Sequence, residues 1–331
     1  MKPASNLKNY IIIILIPAIL YAVFLILRPD AFGKGTTLYN IFQQSIISCI
    51  IAWGMSSTML MNQIDLAVGS EIILAAILGA IFARHVGIAG IVAGCILGGL
   101  LTGVVKIIAS RYLKIPTMIL TIALTYLFAA TGGIITKSAS LSIRSEYSIL
   151  GSAPWNIILF LAAGITIYLM HRFSPYGAKV RAVANSESLA VLNGINAGKI
   201  KVLALMISSI FAGIAAILKL SHGSSVAPTN GVESISTILE PLMSVFIGMV
   251  LAKYINITLG IFVGTILMSI ISNGLIAISM PASYNNVVTG SVLLVLMIFI
   301  SIKSVCDEIK LKKNAAKIRA CNTSDRPASV I

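Results

Sequence analysis

The stretch Gly87-Ile-Ala-Gly-Ile-Val-Ala-Gly-Cys-Ile-Leu-Gly-Gly-Leu-Leu-Thr-Gly-Val-Val-Lys-Ile-Ile-Ala109 runs for 23 residues with a single charged side chain, Lys106. As a helix it covers about 34 Å at 1.5 Å per residue, enough to cross roughly 30 Å of hydrocarbon. Runs of similar character recur over 10–27, 39–61, 64–83 and 116–136, and again over 154–171, 202–220, 236–251, 254–278 and 284–302. The reading is therefore an all-α polytopic membrane protein of about ten transmembrane helices. Composition agrees: 58% of the 331 residues are hydrophobic, 10% are charged and the mean hydropathy is +1.00, outside the range of ordinary soluble domains.

The start, Lys2 and Lys8 followed by Tyr10 to Leu27, has the look of a signal peptide. No small-x-small cleavage site follows, so it reads as a retained first span. The chain is then one membrane domain over 1–331, with its membrane-spanning region at 10–302 and a basic tail at 303–331. The net charge of +14 raises nucleic acid as a partner. The basic residues, however, sit between apolar runs and in the tail, where the bilayer explains them. With the N-terminus inside, seventeen of the 24 Lys and Arg residues fall on the inner side, six on the outer, and Lys106 near the inner end of its span. Both termini are expected in the cytoplasm. The four cysteines and three histidines show no metal-ligand spacing, so no metal site is expected.

A weak inverted repeat is visible. Gly90-Ile-Val-Ala-Gly94 opens one span and Gly260-Ile-Phe-Val-Gly264 another, each leading to a proline, Pro116 and Pro281. Inverted repeats are a common transporter architecture, whereas recurrent Gly-rich helix packing gives the same pattern with no repeat behind it. Residues 174–200 are longer than a simple connection requires. After Pro175, the apolar positions Val180, Val183, Leu189 and Leu192 keep near-helical spacing, and Ser186 is placed to cap a second short helix. Two short helices, or one interfacial amphipathic helix, fit this loop.

Several motifs in order carry a resemblance. The loop reads Tyr176-Gly177, Lys179 with Arg181, Ala182-Val183-Ala184-Asn185, Ala190 and Gly194-Ile195; upstream stands Asn62-Gln63-Ile64-Asp65-Leu66-Ala67-Val68-Gly69-Ser70. Further along come Lys114-Ile115-Pro116 with Thr121, Gly231-Val232-Glu233, Ser272-Asn273-Gly274-Leu275 and Tyr284-Asn285-Asn286. From about Gln44 to Ile302 the chain resembles the ribose-type permeases of ATP-binding-cassette importers, in the branched-chain amino acid/ribose transport permease family. It departs from them where Asn62-Gln63 replaces a usual Gly-Gly, and where Met249 to Lys253 replaces a Gly-rich turn.

The resemblance implies that the 174–200 loop docks on an ATPase subunit, with Tyr176, Gly177, Arg181, Asn185, Glu187 and Gly194 as coupling residues. On that reading Gly194→Glu abolishes uptake by placing a charge in the contact. A carboxylate in a span costs about 2.5–3.5 kcal/mol at a helix centre, so Asp65 and Glu71 must face protein or water. Asp65, Ser70, Glu71, Asn273 and Asn285 are candidates for the translocation path or a helix break; for the amides, interhelical bonding is the competing role. The chain carries no phosphate-binding Gly-x-x-x-x-Gly-Lys-Ser/Thr loop, so ATP is expected on a partner and no cofactor here. The other implied partners are a second permease subunit, identical or not, an extracellular or periplasmic solute-binding protein, and lipid. The expected function is a non-enzymatic translocation subunit for a small polar solute, by analogy a simple sugar. An importer for a nucleoside or other non-sugar solute is one alternative; an ion-coupled secondary transporter, with Asp65 and Glu71 as coupling residues, is the other.

Overall fold

Helix follows helix along the chain: α1 Leu7–Leu27, α2 Pro29–Phe32, α3 Gly35–Leu60, α4 Val68–Val86, α5 Ile88–Leu113, α6 Thr117–Thr136, α7 Trp155–Arg172, α8 Pro175–Asn185, α9 Glu187–Leu192, α10 Ala197–Gly223, α11 Gly231–Leu251 and α12 Ile257–Ala277. This computed structural model describes residues 7–113, 115–252 and 254–278, with isolated positions from 284 to 294. Residues Met1–Asn286 and Val287–Ile331 form separate units, and everything below concerns the first. A two-residue pairing of β1 Leu141–Ser142 with β2 Ser225–Val226 is the one sheet among the described residues.

The polytopic all-α reading is borne out. Among the described residues seven helices are long and apolar enough to cross a membrane: α4, α5, α6, α7, α10, α11 and α12. α3 has the length but carries Gln43, Gln44, Ser45, Ser48, Ser56 and Ser57, a polar complement explained below by what it lines. The expected count of ten is not confirmed, because the run 284–302 falls largely outside the described residues; Asn285, Pro281 and the 303–331 tail lie outside them too. Two starts also move. α10 begins at Ala197 and α11 at Gly231, ahead of the expected 202 and 236, because polar first turns escape a hydropathy reading. The Asn196 side chain caps α10 by accepting from Lys199 N–H at 3.0 Å.

Helix neighbourhoods repeat in pairs. α5 packs along α4 as α12 packs along α11; α10 lies on α4 and α5 as α3 lies on α11 and α12; and α3 meets α10 as α4 meets α11. The leading helices of the two sets run antiparallel: Gly54 of α3 abuts Ser208 and Phe211 of α10, while Ile46 and Ile47 face Leu218 and His222 across a small cleft. Among the described residues α3 to α5 and α10 to α12 are therefore arranged as inverted sets. The paired glycine motifs serve the same contact in each: a Cβ on Gly94 would lie 2.8 Å from Gly79 Cα of α4, and one on Gly264 2.7 Å from Ser244 O of α11. Both backbones approach too closely for a side chain. Gly264→Leu is thus expected to pry α12 from α11 at a cost of about 1–3 kcal/mol, lowering the thermal unfolding midpoint in detergent. Gly35→Ala, where the added Cβ meets open space, serves as the silent control, and an unshifted midpoint for Gly264→Leu would contradict the packing described.

Candidate functional site

Between α3 and α4 the chain is not helical from Met61 to Ala67, yet Asp65 to Val68 are buried. Buried backbone without a helix needs partners, and α6 supplies them from threonines one turn apart. Thr121 Oγ1 accepts from Leu66 N–H at 3.2 Å, Thr125 Oγ1 donates to Leu66 O at 3.0 Å, and Thr117 Oγ1 accepts from Gln63 Nε2 at 2.8 Å. Asp65 Oδ1 accepts from Ala67 N–H at 3.2 Å, and Ser70 Oγ donates to Ala67 O at 2.9 Å within the first turn of α4. Ser70 thus belongs to the break. The α4 start also meets the start of α11, Gly69 lying against Ser234 O and Ile238, so two helix N-termini converge inside the bundle.

At this convergence Lys106 Nζ of α5 lies 2.6 Å from Asp65 Oδ2 and 2.8 Å from Glu71 Oε1, all three side chains 0% exposed. Ser208 of α10 donates to Asp65 Oδ2 at 3.1 Å and Ser209 to Glu71 Oε1 at 3.4 Å. The N-terminal end of α4 favours nearby negative charge, and Lys106 bridges the two carboxylates. Asp65 and Glu71 are therefore brought together, as spacing alone did not show, and their partner was missed. Lys106 is no inner-edge cation: it is the buried centre of the cluster. The available signal was charge bookkeeping, since one cation and two acids in adjacent apolar runs must be paired or cost several kcal/mol each.

The 174–200 segment forms two short helices, α8 and α9. Ser174 caps α8 by accepting from Tyr176 N–H at 3.1 Å, and Ser186 caps α9 by accepting from Leu189 N–H at 3.4 Å. The candidate residues divide by direction. Tyr176, Gly177, Val180 and Val183 are buried, and Arg181 donates to the carbonyl of His171 at the end of α7, so these anchor the hairpin. Burial pushes the Tyr176 hydroxyl up to about 12; it has no hydrogen-bond partner, and neighbouring Ser57 Oγ pairs instead with His171 Nε2 at 2.9 Å. Asn185 and Glu187 are exposed, Glu187 paired with Lys201 at 2.7 Å, a surface pair worth about 0–1 kcal/mol. Gly194 ends α9 with φ +78°; Ile195 N–H reaches back to Ala190 O at 3.0 Å and Gly194 N–H to Val191 O at 2.9 Å, a glycine-terminated helix end. Leu189 and Leu192, grouped by spacing with the buried Val180 and Val183, in fact point outward with Val191, and Leu192 is 81% exposed.

One cavity borders the break, and a second lies beyond it along α4. One of about 1170 Å³ is lined by Met61 to Ile64, Arg111, Asn185, Glu187 and Lys201. The other, about 560 Å³, lies among α3, α4, α10 and α11, with Gly69 and Ile72 of α4 in its wall. Asn40, Gln43, Gln44 and Ser48 line it from α3, which accounts for the polarity of that helix. Asn273 is beside it: its Nδ2 donates to Gln44 Oε1 at 2.7 Å and to Ser269 O at 2.8 Å, an interhelical tie between α12 and α3. Glu240, near the middle of α11, lines this cavity too. Sequence reasoning passed over it although it is a lone carboxylate before Pro241 within an apolar run.

Among models of known families, residues 37–297 match the one described as "Branched-chain amino acid transport system / permease component". The chain belongs to that family. It is thus a permease component, the membrane part of a transport system and not its catalytic subunit. The chain is similar to the ribose import permease protein RbsC of Escherichia coli (strain K12), 27% identical over 296 residues that cover 83% of this chain and 88% of the relative. It also resembles RbsC of Haemophilus influenzae, 28% identical over 84% and 88%. The autoinducer 2 import system permease protein LsrC of Klebsiella pneumoniae subsp. pneumoniae is 28% identical over 83% and 81%.

The buried cluster makes a sharp expectation for this permease. Lys106→Met leaves two buried carboxylates uncompensated and should destabilise the fold by about 3–5 kcal/mol, while combining it with Asp65→Asn and Glu71→Gln should recover most of that loss. Thermal unfolding of the single and triple variants in detergent checks this; equal loss in both would contradict the pairing. For the hairpin anchor, Tyr176→Phe should leave stability unchanged or raised because the hydroxyl bonds nothing. Tyr176→Ala should cost about 3–5 kcal/mol, as a large ring lost from a packed site does.

Proposed function

We propose that this chain is the translocation subunit of an ATP-binding-cassette importer for a small polar solute, a simple sugar by the names of its relatives, with ATP bound and hydrolysed by a partner. The observation that carries the reading is the α8–α9 hairpin: anchored inward through Tyr176, Gly177, Val180 and Val183, it displays Leu189, Val191 and Leu192 to the outside. Three exposed apolar side chains on a six-residue helix have no use within this fold, and they suit a protein surface that closes on them. Arg111, Lys199 and Lys201 stand at the same end of the bundle, which supports placing that end on the cytoplasmic side of a bacterial plasma membrane, and the basic tail argues, from the sequence alone, for termini on that side. A second permease subunit and a solute-binding protein complete the assembly on this reading.

Alternating access then has parts to move. The 61–67 segment lines one cavity at Met61 to Ile64, and Gly69 and Ile72 just beyond it line the other, with Asp65 to Val68 buried between. We assign this segment, held by Lys106 and the α6 threonines, as the divide between the two cavities. A pull on α8–α9 reaches it through α10, whose first turn contacts the hairpin and whose Ser208 and Ser209 hold the cluster. Leu192→Asp tests the docking. It should reduce ATP-driven uptake at least about tenfold, the loss expected when a contact hot spot goes, with the protein still present in the membrane. It is a cleaner probe than Gly194→Glu, where a positive φ adds backbone strain to the change of charge. Undiminished uptake by Leu192→Asp would remove the hairpin from the coupling role.

A further inference from the structure

Glu240 is a second charged feature of the membrane-spanning bundle, and the cluster around Lys106 does not account for it. It stands in the middle of α11, whose length and apolarity suit a membrane span. Among the described residues it forms no ion pair, the salt bridges being those of Lys106 and Lys201. Its neighbours are hydroxyls instead: Ser269 Oγ of α12 donates to Glu240 Oε1 at 3.1 Å, and Ser48 of α3 faces the same carboxylate. An intramembrane carboxylate without a cation is expensive, and such residues mark solute or ion pathways.

The carboxylate borders the 560 Å³ cavity, within the size range of small-molecule sites. The rest of the lining sets the chemistry. Amides from Asn40, Gln43 and Gln44 both donate and accept, Thr237 adds a hydroxyl on the Glu240 face of α11, and Lys219 of α10 supplies a cationic donor from another wall. Several of these groups are already held in place: Gln44 Oε1 accepts from Asn273, and Gln43 is bonded by Asn156 and donates to Tyr39 Oη. Interleaved donors and acceptors around one carboxylate suit a neutral molecule with several hydroxyls. A carboxylate accepts from two neighbouring hydroxyls at once, and such charge-assisted bonds are the stronger ones. An apolar solute would leave the lining unpaired, and an anion would face Glu240.

We propose that this cavity is a binding site for a neutral polyhydroxylated solute, with Glu240 as the acceptor of two adjacent solute hydroxyls and Gln44 and Lys219 as further contacts. The proposal rests on the reading of the chain as an importer subunit and names where in it the solute is held.

Thr237, exposed and in the cavity wall, gives a direct probe. Thr237→Cys is made with Cys306→Ser and Cys321→Ser, leaving the buried Cys49 and Cys95, and the purified protein in proteoliposomes is labelled with a polar maleimide. Ribose or galactose should slow labelling in a saturable way, and adding Glu240→Gln should raise the half-protecting concentration at least about tenfold, as losing one charge-assisted contact does. Labelling that neither sugar slows would overturn the site even if Glu240→Gln fails to fold, and protection unchanged by Glu240→Gln would remove the carboxylate from it. ATP-driven uptake by the unaltered chain, measured alongside, separates the two readings: uptake without protection refutes this site alone, and protection without uptake refutes the importer reading alone.

Discussion

The break between α3 and α4 and its tie to α5 and α10 depend on one buried cation. Lys106 neutralises one of two carboxylates at a point where no water reaches any of the three side chains, and there the desolvation cost is recovered only through good geometry and additional donors. Asp65 supplies one pair and steadies the non-helical turn into α4; Glu71 supplies the other from the first turn of that helix. Ser208 and Ser209 bring α10 into the same network. Three helices and a break are thus fastened at one place, where the two inverted sets also meet through Gly69 and Ser234.

From this centre the structure separates three tasks by physical character. Lipid-facing surfaces are apolar, as along Leu101, Val104 and Ile108 of α5 and Leu161, Ile165 and Leu169 of α7. The α3 face toward α10 and α11 is polar, which costs that helix its apolar signature and gives the cavity its lining. The α8–α9 hairpin buries the apolar face of its first helix through Tyr176, Val180 and Val183 and turns Leu189 and Leu192 of its second outward.

The sequence was legible where the physics is local. Spans appear in hydropathy because each must cover the hydrocarbon alone, and Ser186 announces the start of α9 because a cap is set by neighbours in the chain. The pairing of Lys106 with Asp65 was not legible, since it joins residues 41 positions apart and Lys106 lies close enough to a span end to be read as an edge charge. The exposure of Leu192 was not legible for a related reason: periodicity shows that residues share a face and says nothing of which face is covered. Glu240 was overlooked because one charge scarcely lowers the hydropathy of a run as apolar as α11. Asn273 fell between the readings, an interhelical tie whose partner Gln44 borders the cavity.

The energy source decides between the importer reading and its older rival. Asp65 and Glu71 were the acids that an ion-coupled carrier would have used, and Lys106 occupies both, as expected of a structural centre. The most direct measurement is accumulation of labelled ribose and galactose in proteoliposomes that hold this chain with its ATPase and binding protein, with ion gradients collapsed by ionophores. The account predicts concentrative uptake that requires ATP and persists without any gradient. Uptake driven by an imposed proton or sodium gradient in the absence of ATP would contradict it.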